Sequence, residues 1–173
     1  TGSFGNPGSA RNAGLDISQG EWITFWDSDD IGFIEPIIQE IENISEEVKL
    51  VIGQFQVLDV KSRKIHSTKP IGKVSQIPKS PGVWRFVFRN NHLIKFMSLS
   101  MGEDQIFIAS NLPASKEIRF SKHNFYLYAV GNSFQLTNSK SKIKDLRKAT
   151  RELRNLALAN DLQYQSLAVF MLF

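Results

Sequence analysis

The stretch Trp22-Ile23-Thr24-Phe25-Trp26-Asp27-Ser28-Asp29-Asp30 joins a short apolar run to an acidic turn. Five β-branched and aromatic residues in succession favour a buried strand. Carboxylates follow that strand at once, at the end where open α/β sheets bind their ligands. This junction predicts an α/β domain with a polar site at the carboxyl edge of its sheet.

The segments on either side of the strand have helical spacing. On the amino-terminal side, Ser9 is expected to cap a helix that runs to about Ser18, and Gly20 to stop it. On the other side a second helix is expected from about Phe33, with Pro36 in its first turn. The apolar residues of that second helix recur at helical spacing, at Ile34, Ile37, Ile38 and Ile41.

The rest of the chain continues to alternate between strand and helix patterns, which places the protein in the α/β class. Further strands are expected at 50–60, 83–89, 117–120 and 125–130, a long polar loop with short strands at 61–80, and helices near 93–96 and 103–111. A long amphipathic helix is expected from about Ser141, with the apolar stripe Ile143, Leu146, Ala149, Leu153, Leu156 and Ala157.

Composition narrows the class of protein. The 173 residues include no cysteine, which excludes disulfides, thiolate-bound zinc and thiol catalysis. The net charge is +4, but residues 140–154 hold seven basic and two acidic side chains, so that segment carries +5 and the remainder −1. The basic charge therefore belongs to one segment and does not indicate a nucleic-acid-binding surface over the domain.

The acidic turn 27–30 has the chemistry of a metal site. Hard oxygen ligands such as Asp27 and Asp29 suit Mg²⁺ or Mn²⁺, which keep several waters and share the phosphates of a substrate. Such an ion would stabilise a diphosphate leaving group. The alternative is that Asp29 or Asp30 caps the following helix and the rest is a solvated turn.

A resemblance strengthens the first interpretation. The stretch Gly8-Ser9-Ala10-Arg11-Asn12-Ala13-Gly14-Leu15, followed by Gly20-Glu21, the apolar strand and Asp-x-Asp, resembles the family 2 glycosyltransferases of the GT-A fold. It implies an incomplete, Rossmann-like mixed sheet flanked by helices, with a carboxyl-terminal amphipathic helix. It also implies donor contacts from Arg11, Asp27, Ser28 and Asp29, supported by Asn12 and Asp30. For Arg11 the alternative is pairing with a nearby carboxylate that orders its helix.

A second motif lies downstream. The stretch Met101-Gly102-Glu103-Asp104-Gln105-Ile106-Phe107 is similar to the Glu-Asp motif of the same enzymes. The resemblance implies that Asp104 is the catalytic base for the acceptor hydroxyl, with Glu103 in support. A sugar hydroxyl is a poor nucleophile until a positioned carboxylate takes its proton. Taken alone, such a pair mostly indicates first-turn acidic residues favoured by the helix dipole.

The acceptor side is expected along 82–89, which resembles the family's strand at that position. Trp84 and Arg85 are the candidate acceptor contacts, although a tryptophan packed in the core is as good an interpretation of Trp84. Ala129 and Val130 stand where the family often has an arginine, so a phosphate contact there is in doubt. No Gln-x-x-Arg-Trp motif occurs, which argues against a processive synthase.

The resemblance begins partway through a GT-A domain, because the family's opening strands, which bind base and ribose, have no counterpart here. We expect a fragment truncated at its amino terminus, with a partial GT-A domain over 1–137 and a basic amphipathic helical segment over 138–173. This polypeptide alone is expected to be inactive, because half of the donor pocket is missing from it.

The function implied by the resemblance is metal-dependent, inverting transfer of a sugar from a UDP-sugar or similar donor to a saccharide or lipid-linked acceptor. Bacterial surface-polysaccharide synthesis in the cytoplasm, with peripheral contact at the inner membrane face, is the expected setting. One alternative is a phosphatase of the haloacid dehalogenase type, but Ile31 stands where those enzymes need Thr or Ser. Another is a non-catalytic basic module that binds nucleic acid or anionic lipid.

Overall fold

The computed structural model describes residues 4–131 and 142–159. Its helices are α1 (Pro7–Ile17), α2 (Ile34–Ile41), α3 (Glu103–Ser110) and α4 (Lys142–Ala159). Its strands are β1 (Trp22–Thr24), β2 (Ile31–Gly32), β3 (Leu50–Asp59), β4 (Lys64–Ser67), β5 (Phe86–Arg89) and β6 (Ile118–Val130). Short 3-10 helices occupy Val74–Lys79, Val83–Arg85 and Ser115–Glu117.

The strands form one mixed sheet in the order β1-β5-β3-β6-β2, with β4 paired to β3 off this path. The central pair, β3 and β6, is parallel, and the other pairs are antiparallel. The α/β class predicted from the sequence is therefore confirmed. Strands β1 and β2 lie at opposite ends of this order, so the acidic turn 27–30, which joins them, carries the chain from the β1 side of the sheet to β6 and β2 on the other side.

Helix α1 begins earlier than predicted. The side chain of Asn6, not that of Ser9, caps it by accepting a hydrogen bond from the Ser9 amide at 2.9 Å. Pro7 then occupies the first turn, where its missing N–H costs nothing and its fixed φ suits a helix. The helix ends at Ile17, and Ser18 is extended, so Gly20 is not needed to stop it.

Three other predictions at the level of local structure were wrong. Residues 83–85 form a 3-10 helix before β5, and the strands predicted at 117–120 and 125–130 are not separate but are parts of the single strand β6, which begins at Ile118. No helix forms at 93–96, because the Asn12 side chain takes both backbone groups of Phe96, accepting from its N–H and donating to its C=O, each at 2.8 Å. The polar residues within β6 remain in the sheet through a register shift opposite Ile52–Phe55.

The sheet is covered on both faces. One face packs against α1, α3 and α4 around a cluster of aromatic rings that includes Phe25, Phe88, Phe96 and Phe107. The other packs Val51, Val87 and Phe125 against Ile37 of α2. Alternate residues of a strand point to opposite faces, which explains why adjacent residues of β3 and β5 enter different clusters.

The buried apolar stripe of α4 is narrower than predicted. Ala149, Leu153 and Ala157 are buried, but Ile143 and Leu146 are exposed. Its buried side packs into the same cluster as α3. Within the described residues, each helix is either too short or too polar to traverse a lipid bilayer.

Candidate active site

The acidic turn 27–30 follows the end of β1. The backbone folds back on itself there, with the Asp30 amide donating to the Asp27 carbonyl at 3.3 Å. Ser28 and Asp29 are exposed and the Asp27 side chain is 38 % exposed. Asp27 and Asp29 therefore face solvent beyond the end of β1, where an ion or a substrate has access to them.

Asp30 has a different role from the other two carboxylates. One of its oxygens accepts a hydrogen bond from the Tyr126 hydroxyl at 2.7 Å, and the other accepts from the Ala129 amide at 2.6 Å. Burial raises the pKa of Asp30, although these two hydrogen bonds oppose the shift. Helix α2 has Phe33 at its cap position and no capping side chain, so the helix-capping alternative for Asp29 or Asp30 was wrong.

Arg11 connects the acidic turn to α3. Its two terminal nitrogens donate to Asp27 and to Glu103, each at 2.8 Å. Burial alone would lower the pKa of Arg11, but the charges of these partners outweigh it and raise that pKa. The predicted alternative, in which Arg11 pairs with a nearby carboxylate, is confirmed; a contact of Arg11 with the donor stays a prediction.

Asp104 is the second residue of α3 and lies beside this ion-pair network. Burial raises the pKa of Asp104 to about 6; Glu103 adds to the shift and Arg11 opposes it. Its carboxylate accepts a hydrogen bond from the Gln105 amide at 2.9 Å, which fixes its direction. A carboxylate with a pKa near the working pH is suited to general base catalysis.

The candidate metal ligands fit an ion that is shared with substrate phosphates rather than one that is enclosed by protein side chains. Within residues 4–131 and 142–159, no group of three or more Asp, Glu or His side chains is arranged to hold an ion. Asp27 and Asp29 offer two carboxylates, and Mg²⁺ commonly uses one or two together with substrate phosphates and water. These residues therefore fit Mg²⁺ or Mn²⁺ bound jointly with a diphosphate.

An open cleft of about 490 Å³ lies between α1 and β1. Its lining includes Arg11, Asp27 and Ser28, three of the predicted donor residues, together with apolar residues of β1 and the exposed Trp26. The volume is within the ~300–1,000 Å³ range of small-molecule sites. The cleft brings three of the predicted donor residues to one wall, and donor binding there stays a prediction.

Comparison with known proteins agrees with this geometry. A model of the family described as glycosyl transferase family 2 matches residues 3–106. The chain belongs to this family. It is 29 % identical, over 150 residues, to the poly(ribitol-phosphate) β-N-acetylglucosaminyltransferase TarP of Staphylococcus aureus, an alignment that covers 78 % of this chain and 44 % of TarP. The family match excludes the phosphatase alternative.

The fold of the chain also matches that of a solved structure. The chain superposes on residues 1–349 of S. aureus TarS, crystallised with UDP-GlcNAc, with a TM-score of 0.71 and 19 % identity. The match covers 98 % of this chain and 52 % of that one. This likeness confirms the GT-A type of fold, and the chain spans about half the length of both relatives.

The structure places the other predicted residues of this family 2 chain outside the carboxylate network. Asn12 holds the backbone of Phe96, as described above, and so supports the loop below Arg11. Trp84 stacks on Tyr126, with ring centroids 4.7 Å apart and planes 7° apart, so its ring is engaged in packing.

Arg85 does not reach the surface, contrary to its predicted acceptor role. It is 0 % exposed and donates to the Gly53 carbonyl and to the Gln54 side chain. Burial lowers its pKa to about 10. The resemblance could not show this, because the register shift beside Gly53 gives the guanidinium of Arg85 neutral oxygen partners inside the sheet.

Tyr126 is the residue that the sequence interpretation missed. Its hydroxyl accepts a hydrogen bond from the Asp27 amide at 3.2 Å and donates to Asp30. The signal was present in the alternation Phe125-Tyr126-Leu127-Tyr128, which puts both tyrosines on one face of β6 and Phe125 on the other. Only the pairing of β2 with β6 shows that this face meets the acidic turn.

Proposed function

We propose that the polypeptide carrying this chain transfers a sugar from a nucleotide-diphosphate sugar to an acceptor hydroxyl, with a divalent metal and with inversion at the anomeric carbon. The observation that carries the proposal is the position of Arg11. One guanidinium joins Asp27 of the acidic turn to Glu103, the neighbour of Asp104. A donor-side carboxylate is thereby joined to the residue next to the candidate base.

On the donor side, Asp27 and Asp29 would hold Mn²⁺ or Mg²⁺. When bound, the ion would neutralise charge on the departing diphosphate. The cleft beside α1 would take the rest of the donor, and Arg11 at its wall would favour an anionic group there. The TarS structure was determined with UDP-GlcNAc, which supports a UDP-sugar as the donor class.

On the acceptor side, Asp104 would take the proton of the attacking hydroxyl. Direct attack by that oxygen at the anomeric carbon, with the diphosphate leaving from the opposite face, inverts the configuration. The relative TarP acts on poly(ribitol-phosphate), as its name states. A hydroxyl of a bacterial surface polymer, saccharide or lipid-linked, is the acceptor class we infer.

The decisive variant is Asp104→Asn in the complete natural polypeptide that contains these residues. Transfer is expected to fall by about 10²–10⁴-fold, the usual contribution of a general base, while donor binding is retained. In the unsubstituted enzyme the rate should decline as the pH falls through about 6, because Asp104 then becomes protonated and cannot accept the hydroxyl proton. Radiolabelled transfer assays and calorimetric titration with UDP measure the two quantities.

Asp16→Asn is the matched control, since Asp16 forms a surface ion pair with Lys95 and is not among the residues that line the cleft. Its transfer rate and pH profile should equal those of the unsubstituted enzyme. Full transfer by Asp104→Asn would contradict the assignment of the base, and full transfer in the presence of a strong chelator would contradict metal dependence.

A peripheral membrane contact is proposed for α4. Its basic residues Lys144, Arg147, Lys148, Arg151 and Arg154 are exposed, on the side opposite Ala149 and Leu153. Cosedimentation with vesicles rich in anionic lipid, reversed by salt, would support the contact. Equal sedimentation with neutral vesicles, or none, would contradict it.

A further inference from the structure

We propose that Tyr126 and Asp30 are positioning residues that hold the acidic turn in the shape needed for metal binding by Asp27 and Asp29. This inference rests on the metal dependence proposed above. In this inference Asp30, the fourth residue of the Asp-x-Asp-Asp turn, has a structural role. The buried hydroxyl of Tyr126 in β6 supports the donor site from beneath the turn.

One hydroxyl ties both ends of the turn to the sheet. The Tyr126 oxygen accepts from the Asp27 amide at 3.2 Å and donates to Asp30 at 2.7 Å. The second oxygen of Asp30 accepts from Ala129, two residues beyond Leu127, which pairs with Ile31 of β2. The turn is therefore fastened to β6 at its first residue, at its last and at the strand that follows.

The carboxylates of the turn divide into two kinds. Each Asp30 oxygen already accepts a short hydrogen bond from the protein. Asp29 is exposed, and within the described part of the chain no hydrogen bond or ion pair engages its side chain. Both oxygens of Asp29 are therefore available for an ion, whereas each Asp30 oxygen is already engaged in a short hydrogen bond that fixes the turn.

The anchor itself is rigid. Tyr126 is 0 % exposed, and its ring is stacked against that of Trp84. A rigid anchor matters because three carboxylates within four residues repel each other and would spread the turn if the backbone were free. Trp84, the candidate acceptor residue, thus supports the donor side by fixing the ring of Tyr126.

Mn²⁺ binding to the chain tests the inference directly. Electron paramagnetic resonance of free Mn²⁺ would give the affinity of the unsubstituted chain, of Tyr126→Phe and of Asp30→Asn. Residues that orient metal ligands typically change metal affinity by about 10–100-fold when substituted. We expect a loss in that range for both variants, with Tyr126→Phe keeping the ring and its stacking.

Ser121→Ala is a closely matched control. Ser121 is a buried residue of the same strand, and its hydroxyl also donates to a carboxylate, that of Glu40 at 2.6 Å, and accepts from a backbone amide, that of His123 at 3.0 Å. It lies away from the acidic turn, so its loss should destabilise the fold without changing Mn²⁺ affinity.

Activity of the complete polypeptide supplies the second readout. For Tyr126→Phe the Mn²⁺ concentration giving half-maximal rate should rise by about 10–100-fold, with kcat at saturating Mn²⁺ largely restored. A variant that merely unfolds would lose activity equally at every Mn²⁺ concentration.

Unchanged Mn²⁺ affinity in Tyr126→Phe and Asp30→Asn, beside measurable binding by the unsubstituted chain, would overturn this inference alone. Absence of binding by the unsubstituted chain and by the complete polypeptide with UDP would overturn the proposed metal dependence and the inference together.

Discussion

Two arginines of this chain lie in contrasting surroundings. Arg11 stands at the wall of the cleft, pairs with Asp27 and Glu103, and has a raised pKa. Arg85 lies inside the sheet with neutral oxygen partners at Gly53 and Gln54, and its pKa is lowered to about 10. Each stacks beside a phenylalanine ring, so their apolar contacts do not distinguish them.

The difference lies in what their partners can still do. The carboxylates that hold Arg11 retain lone pairs and lie close in sequence to Asp29 and Asp104, so this is the cluster for which we propose ion binding and proton acceptance. The partners of Arg85 are a backbone carbonyl and a buried amide that is itself bonded to Ile71 and Ser121. That cluster fixes the irregular stretch of β3 and has no access to a substrate.

Replacing Arg11 should have the largest effect, a loss of sugar transfer. Arg11→Met removes the cation that favours ionised Asp104, so the pKa of Asp104 should rise further above 6. In the complete polypeptide we expect at least about a 10²-fold loss of transfer at neutral pH, with the decline of rate on the acid side shifted to higher pH. A pH–rate profile measures both.

Arg119→Met is the control for this substitution, because Arg119 is 63 % exposed and lies 3.8 Å from Glu40. Its rate and profile should be unchanged. If Arg11→Met transferred sugar at the normal rate with an unshifted pH profile, Arg11 would have only a structural role, as Arg85 has.

The second arginine should matter for stability instead. Arg85→Lys keeps the charge but replaces a planar donor, bonded twice to the Gly53 carbonyl, by a compact ammonium that is more costly to bury. We expect the free energy of unfolding to fall by about 2–3 kcal/mol. Urea denaturation of the chain measures it, and Mn²⁺ affinity should be unchanged.

The same exchange at Arg119, on the surface, should alter stability by about 0.5 kcal/mol or less. If Arg85→Lys were as stable as the unsubstituted chain, but the complete polypeptide with this substitution had a much higher KM for the acceptor, the acceptor contact predicted for Arg85 would be supported. That result would also remove the distinction between a buried structural arginine and a functional one.

The sequence was sufficient for features that depend on local pattern. The apolar run before Asp27, the helical spacing of Ile34 to Ile41 and the Glu-Asp pair at the start of α3 were each identified, because burial periodicity and helix-end chemistry are written in neighbouring residues. Features that depend on strand pairing were not. The length of β6 and the direction of Arg85 are decided by the register shift opposite β3, which no local pattern reports.

The candidate site shows the same division. Residue types at family spacing picked out Asp27, Asp29 and Asp104, and the structure brings Asp27 and the Asp104 neighbour Glu103 together through Arg11. Their roles stay predictions. Tyr126 was missed because it lies 99 residues from Asp27 along the chain, and only the fold places its hydroxyl beneath the turn.

The smallest effect concerns how α3 presents Glu103 to Arg11. Gly102 precedes α3 with φ of 82°, and a Cβ added there would lie 2.7 Å from the Cβ of Ala149 in α4. Gly131 has φ of 92°, and among the described residues the nearest side-chain atom to a Cβ added there is 3.7 Å away, so Gly131→Ala should report mainly the backbone cost, about 1 kcal/mol. Gly102→Ala should cost about 1 kcal/mol more, because α4 must also move.

Adding Ala149→Gly to Gly102→Ala should recover that excess, as a coupling of about 1 kcal/mol in a double-mutant cycle by urea denaturation. Equal losses for Gly102→Ala and Gly131→Ala, with no coupling to Ala149, would show that α4 does not press on the start of α3.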